Sequence, residues 1–397
     1  MLLRNPSIRL LFAGQALYWS CSMIGITLTA LVGLQLAPLN SLATLPLCLW
    51  MLGNLFSVQP MSRFMQRHGR RPGLMLGAGA GVVGGLLSAL GVWLGDFMLF
   101  CLGALPIGVY QASAVYYRFA ALEAVAATEK GRASGYVIGG GVLAALLVPS
   151  ALQWAGSLLG TPFVAAYLLI AIFALLALLL MSRLREGAAP PRPKAGFTAL
   201  RQLLSNPVVR AAIATTAIGN GLMVLVMNAT PLAMNFCGFA LESSAQVIQW
   251  HMLGMFLPAF LAGPLVDYLG SRRVALLGGL ILLGSATIAL SGLQQLHFLL
   301  SSLLLGLGWN LMLVAGTTLL AEGHGETQRA QAQGLMELLN GILAAGAAFS
   351  AGVLISGLGW SAINLIVLPF VGLAVLMLWP ARRSLQPIDG MPVNGRQ

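Results

Sequence analysis

A chain of 397 residues that is 58% hydrophobic and 8% charged, with a mean hydropathy of +0.88, has too little polar surface for a soluble domain. The formal net charge of +11 invites a nucleic-acid reading, but the basic residues fall between long apolar runs instead of forming one patch, so the partner they point to is the lipid bilayer and no nucleic acid. No nucleophile and base pair, phosphate loop or hydrolytic metal motif appears, which argues against an enzyme and against a permanent cofactor.

A helix needs about 20 apolar residues to cross the hydrocarbon core, and twelve such stretches begin near residues 8, 41, 73, 97, 131, 162, 208, 243, 273, 297, 330 and 358. The expected fold is an all-α membrane protein of twelve transmembrane helices in two pseudo-symmetric six-helix bundles, residues 1–183 and 206–381. A Pro/Arg-rich linker, 184–205, joins them, and 382–397 form a tail. The first stretch follows Arg4 and Arg9 and lacks the short apolar core and small-residue cleavage site of a signal peptide, so it reads as a retained helix. Lys and Arg occupy the start, the even-numbered connections and the tail, whereas the odd-numbered connections carry none. That asymmetry places both termini in the cytoplasm. The cysteines Cys21, Cys48, Cys101 and Cys237 form no CxxC pair and no disulfide framework.

The halves repeat at an offset of 201 residues. Asn5-Pro6 before the first stretch matches Asn206-Pro207 before the seventh, Met51-Leu52-Gly53 matches Met252-Leu253-Gly254, and Gly69 matches Gly270. Duplication of this kind marks carriers whose substrate site lies near the bilayer midplane between the halves.

The seventh and eighth stretches each carry a pair of soft ligands, Met223 with Met227 and His251 with Met255. Spacing of i, i+4 puts each pair on one helix face, and antiparallel packing across the turn near 237–242 would bring all four together. Thioether and imidazole donors suit Cu(I) better than Mg, Ca or Mn. Against this stands ordinary packing: methionine is common, 17 residues of the chain, and a buried histidine can be a core residue bonded to a neighbouring helix. At the 201-residue offset the four face Ser22, Ile26, Trp50 and Asn54, so none is duplicated. Cys237 and Met234 near the outer mouth, and Cys21 and Met23 on the first stretch, are accessory candidates whose default role is packing.

The run Gly263-Pro264-Leu265-Val266-Asp267-Tyr268-Leu269-Gly270-Ser271-Arg272-Arg273 resembles the G-x-x-x-D-x-x-G-x-R-R signature of the major facilitator superfamily. The resemblance implies a latch in which Asp267, Arg272 and Arg273 make charge-assisted contacts between helix ends. In the first half Gln66 replaces the acid before Arg70 and Arg71, which predicts a weaker latch. Arg118, Glu123 and Arg132 between the fourth and fifth stretches, echoed by Glu322 and Arg329, form a second expected set of gating pairs.

Within that superfamily, Met223-x-x-x-Met227, Asn228-Ala229-Thr230-Pro231 and Trp250-His251-Met252-Leu253-Gly254-Met255 look like the CcoA-type copper importers of bacterial inner membranes. The resemblance implies Met223, Met227, His251 and Met255 as ligands for copper as the transported substrate. It also implies an inner-membrane location, import by alternating access, and hand-over to a cytoplasmic copper chaperone or oxidase-assembly factor. A monomer is expected. The alternative cargo is a neutral or hydrophobic organic solute, flavin-like or drug-like, in a cavity lined by Tyr18, Trp19, Trp50 and Trp309. No mid-span Lys, Arg, Asp or Glu is expected to bind a charged organic ion.

Overall fold

The computed structural model describes residues 4–39, 42, 45–159, 162–185, 203–325 and 328–378. All regular structure in them is helical. The tail and most of the expected linker lie outside the described residues.

The first six helices are α1 (Pro6–Leu36), α2 (Leu45–His68), α3 (Arg70–Leu94), α4 (Phe97–Ala114, resuming as Tyr117–Glu123), α5 (Lys130–Gly139, resuming as Gly141–Leu159) and α6 (Pro162–Met181). The second set is α7 (Pro207–Phe236), α8 (Leu241–Phe256, resuming as Ala259–Leu269), α9 (Ser271–Ser291) and α10 (Gln295–Glu322), followed by the run Arg329–Leu378. That last run has 50 residues and breaks at Gly359, where φ is 80°. At 1.5 Å per residue it exceeds twice the thickness of a bilayer core, so it counts as α11 before the break and α12 after it. Nine runs are long and apolar enough to cross a membrane among the described residues; the split of the last one, with α1 and α2, completes the expected twelve.

The repeat read from the sequence recurs as geometry. Asn5 caps α1 by accepting from the Ser7 N–H at 3.0 Å, and its amide donates to the Ala124 carbonyl at 3.0 Å. Asn206 caps α7 from the Val208 N–H at 2.9 Å and donates to Gly323 at 2.7 Å. Each Asn-Pro pair therefore starts one helix, with proline at a position that needs no N–H, and fastens it to the end of another. Gly69 (φ 97°) and Gly270 (φ 85°) sit at the matching connections, a backbone region that favours glycine. In each half α4 or α10 presses a glycine onto its neighbour: a Cβ on Gly108 would lie 2.7 Å from the Asn54 nitrogen, and one on Gly306 would lie 2.7 Å from that of Met255.

The halves meet along α5 against α8 and α2 against α11. Their hydrogen bonds, ion pairs and ring contacts cluster between the end that carries the basic connections and the level of Trp19 and Phe256, some thirteen residues or about 20 Å along the helices. The basic end is thus closed. Its tightest contact is glycine on glycine: a Cβ on Gly263 would fall 2.5 Å from the Gly131 carbonyl, and one on Gly135 would collide with the Ala259 carbonyl. A side chain there has only backbone to push against. Replacing Gly135 by Leu is therefore expected to wedge the basic end open, at an overpacking cost of about 1–3 kcal/mol to the closed form. Spin-label distances across that end should lengthen while the folded fraction stays near that of the parent.

Candidate functional site

At the level where the halves meet, a line of rings crosses from one bundle to the other. Tyr18 and Trp19 on α1 have ring centroids 5.4 Å apart, Trp19 and Phe256 on α8 are at 4.7 Å, and Phe256 and Trp309 on α10 are at 6.4 Å and perpendicular. Phe256 can sit there because α5 breaks beside it: a Cβ on Gly141 would lie 2.5 Å from its ring. Two tryptophans hold carboxamides. Trp50 Nε1 donates to Gln111 Oε1 at 2.7 Å in the first half, and Trp309 Nε1 donates to Asn220 Oδ1 at 3.1 Å in the second. Fixing the oxygen of each amide leaves its NH2 to donate elsewhere.

On the helices that carry these rings and their neighbours lie buried polar atoms with no partner among the described residues: Gln15 Oε1, Trp19 Nε1, Asn54 Oδ1, Arg118 Nε and Asn340 Oδ1. Each such atom costs about 1–3 kcal/mol unless something satisfies it. A concentration of them beside stacked rings, between two bundles, has the chemistry of a solute site: flat apolar faces for affinity and a few polar groups for orientation. The amides Gln111, Asn220 and Asn340 were absent from the candidates drawn from sequence. Polar side chains inside otherwise apolar spans are the signal that pointed to them.

Below the rings sits an ion pair that the sequence reading placed otherwise. Arg118 Nη2 on α4 bonds Glu337 Oε1 on α11, with the two residues 8% and 6% exposed. The expectation of no charge inside the spans is therefore corrected. Arg118 was read as a loop-level gating residue, but the break between Ala114 and Tyr117 lets the rest of α4 continue inside the bundle, so it is buried. Asn340 Nδ2 donates to the same Glu337 oxygen at 3.4 Å, and Asn220 Nδ2 to the Asn340 carbonyl at 3.4 Å.

The other gating residues divide. Glu123 accepts from Arg70 at 2.6 Å and faces Arg329 of the opposite half at 3.6 Å, while Arg70 also bonds Gln333. Asp267 crosses to the first half, accepting from the backbone N–H groups of Gly131 and Arg132 at 2.9 and 3.0 Å, with Arg132 Nε at 3.7 Å. It does not reach Arg272 or Arg273, and neither of these makes an ion pair among the described residues. Glu322 stays in its own half, accepting from Ser271 Oγ at 2.7 Å. Arg71 is exposed at the start of α3.

The soft-ligand set does not have the packing assumed for it. α10 lies between α7 and α8, which meet far less with each other than each does with α10. His251 is 1% exposed, and its Nδ1 pairs with the Ser302 carbonyl of α10 at 2.8 Å. A carbonyl only accepts, so Nδ1 carries the proton and Nε2, without a partner, carries the lone pair. This is the bond to a neighbouring helix that the packing alternative required. Met223, Met255 and Met234 are buried and Met227 half-buried in the same core. The Cys21 thiol contacts the Ile170 carbonyl on α6 at 3.5 Å, away from the second half, Met23 packs on the core of the first, and Cys237 is exposed.

The model of the Major Facilitator Superfamily matches residues 10–257 and 216–390. The chain belongs to the major facilitator superfamily. As a member of it, the protein is a multi-pass membrane transporter by family. It is 35% identical over 376 residues to the riboflavin transporter RfnT of Brucella anthropi, covering 94% of each chain. It is 28% identical over 381 residues to the uncharacterised transporter YdeG of Bacillus subtilis, covering 91% of this chain and 87% of that one. Among solved structures it resembles the superfamily transporter FucP in its outward conformation, with a TM-score of 0.76 and 15% identity over 94% of this chain and 98% of that one. The resemblance to copper importers finds no support among these relatives.

Replacing Asp267 by Ala removes a charged acceptor from two backbone donors, a loss of about 1.5–3 kcal/mol for each such bond at most. The closed basic end is expected to lose population, with Asp267→Asn intermediate because one acceptor oxygen remains. Fluorescence transfer between labels on the two halves at that end would measure both.

Proposed function

We propose that the protein is a carrier of a neutral, planar, flavin-like solute, moved across a bacterial inner membrane into the cytoplasm by alternating access. The observation that carries this reading is the pair of indole-held carboxamides, Trp50 with Gln111 in one half and Trp309 with Asn220 in the other, with Trp309 next to the rings of Phe256 and Trp19. A fused-ring solute offers two π faces for stacking, and its imide edge presents both donors and acceptors. Oriented amides on opposite halves match that edge. The 35% identity to a riboflavin transporter over nearly the whole chain supports the same cargo.

Orientation follows from charge. Basic residues are retained on the cytoplasmic side, so the closed basic end faces the cytoplasm. Fusion reporters at residue 190 and at the carboxyl end are expected to read cytoplasmic; a periplasmic signal at either overturns the orientation.

Riboflavin fluorescence quenching by purified protein tests the cargo. Trp309→Ala or Trp50→Ala removes stacking worth on the order of 1 kcal/mol, so each is expected to weaken binding about five-fold or more, while Met227→Ala leaves it within two-fold. Copper accumulation in cells is expected to be equal for the parent and for the Met223→Ala, His251→Ala double variant. Quenching insensitive to both tryptophan changes, or copper uptake lost in the double variant, overturns the flavin reading.

A further inference from the structure

We propose that Glu337 sets the charge selectivity of the carrier: by holding Arg118 it denies the site a free cation, so the neutral solute is taken and its phosphate ester is excluded. The identity of the solute rests on the flavin reading, whereas the charge rule rests on the ion pair alone. Apart from His251, Arg118 and Glu337 are the only ionisable residues among the buried polar side chains described.

The pair is tied to the solute site from both bundles. Trp309, next to Phe256, donates to Asn220; Asn220 donates to the Asn340 carbonyl, and Asn340 donates to Glu337. From the first half, the Tyr18 ring lies 5.4 Å from that of Trp19 and its hydroxyl is near enough to feel both charges. A solute on these rings therefore meets Arg118 and Glu337 together, and their charges cancel. A phosphate monoester carries a charge of about −1.5 to −2 near pH 7. Beside this pair it gives up its hydration and finds no net attraction in return, which is strongly unfavourable. The cations nearer the basic surface are already taken: Arg70 is held by Glu123 and Gln333, Arg329 faces Glu123, and Arg132 faces Asp267.

Without Glu337, Arg118 would be an anion receptor. It is buried, its Nε has no partner among the described residues, and its guanidinium carbon stands 5.0 Å from the Phe119 ring. A guanidinium taken out of water offers a phosphate two parallel N–H bonds. Glu337 occupies that fork through Nη2. Replacing it by Gln keeps the shape and an acceptor oxygen but turns the pair from neutral to singly positive, and the preference between neutral and anionic solutes should shift with it.

Two measurements on the purified full chain test this. Fluorescence quenching of riboflavin and of riboflavin monophosphate is expected to show the parent favouring the uncharged flavin by about ten-fold or more. Glu337→Gln should shift that ratio toward the phosphate ester by about ten-fold or more, and adding Arg118→Gln should abolish the shift. Because Glu337→Gln leaves a buried cation without its carboxylate, a destabilising change, Asn340→Lys serves as a second variant: it adds the same positive charge with the pair retained and should shift the ratio in the same direction. The second measurement needs no flavin. Inorganic phosphate, compared with chloride at equal ionic strength, is expected to raise the unfolding temperature of Glu337→Gln and of Asn340→Lys more than that of the parent or of the Arg118→Gln, Glu337→Gln double variant. That difference supports the charge rule even if no flavin binds, in which case only the cargo reading fails. A parent that binds both flavins equally, cationic variants with no gain for either phosphate probe, or a gain in Glu337→Gln that survives loss of Arg118, overturns it.

Discussion

A glutamate and an arginine facing each other across two bundles, in an interior that otherwise avoids charge, form the interaction on which the rest of the arrangement depends. Neither residue is tolerable alone in that setting. A buried pair gains little net stability over an apolar contact, but loss of one partner costs several kcal/mol, so Arg118 and Glu337 specify which surfaces of the halves meet more than they strengthen the meeting. Surrounding contacts are consistent with this division of labour. Glycines on α5 and α8 permit close approach, and Asp267 contributes a directional bond to the start of α5. At the surface the Arg70, Glu123 and Arg329 cluster adds contacts weakened by solvent.

The solute site inherits its position from that closure. Trp19 and Phe256 bring their rings within 4.7 Å across the halves. Helix interruptions recur at this depth: α5 breaks at Gly140, α8 between Phe256 and Ala259, and α4 between Ala114 and Tyr117. Irregular backbone in a membrane protein is sustained only where protein or a water-lined cavity surrounds it, and the α5 and α8 breaks face each other across the halves, Gly141 beside the Phe256 ring. The same feature that lets rings and charges cross the interface thereby marks where the bundles can flex.

Internal duplication supplied a scaffold, and divergence at matched positions supplied the chemistry. Trp50 and His251 occupy equivalent places, and both donate a ring N–H to the helix that follows in the bundle, one to the Gln111 side chain and the other to the Ser302 backbone. The first orients a side-chain amide; the second stitches α8 to α10. That difference explains why a histidine inside an apolar span, a rare and suggestive signal in sequence, turns out to serve packing through one nitrogen. Met223 and Met255 belong to the buried hydrophobic core and Met227 packs against it, where flexible side chains fill space.

The sequence by itself determined the twelve helices, their order, the duplication and the segregation of basic charge, because each is a one-dimensional quantity: a run length, an offset or a count along the chain. Even the Asn-Pro starts of α1 and α7 could be read locally, since a cap and its first turn are neighbours in sequence. What only the tertiary structure decided were the partners. Helices consecutive in the chain need not pack along their length: α7 and α8 each meet α10 far more than they meet each other. Arg118 and Glu337 lie 219 residues apart, and Arg118 taken singly reads as a loop-level charge. Their meeting depends on how two bundles dock, and docking is set by the summed shape of many small residues on α2, α5, α8 and α11, which no local pattern encodes.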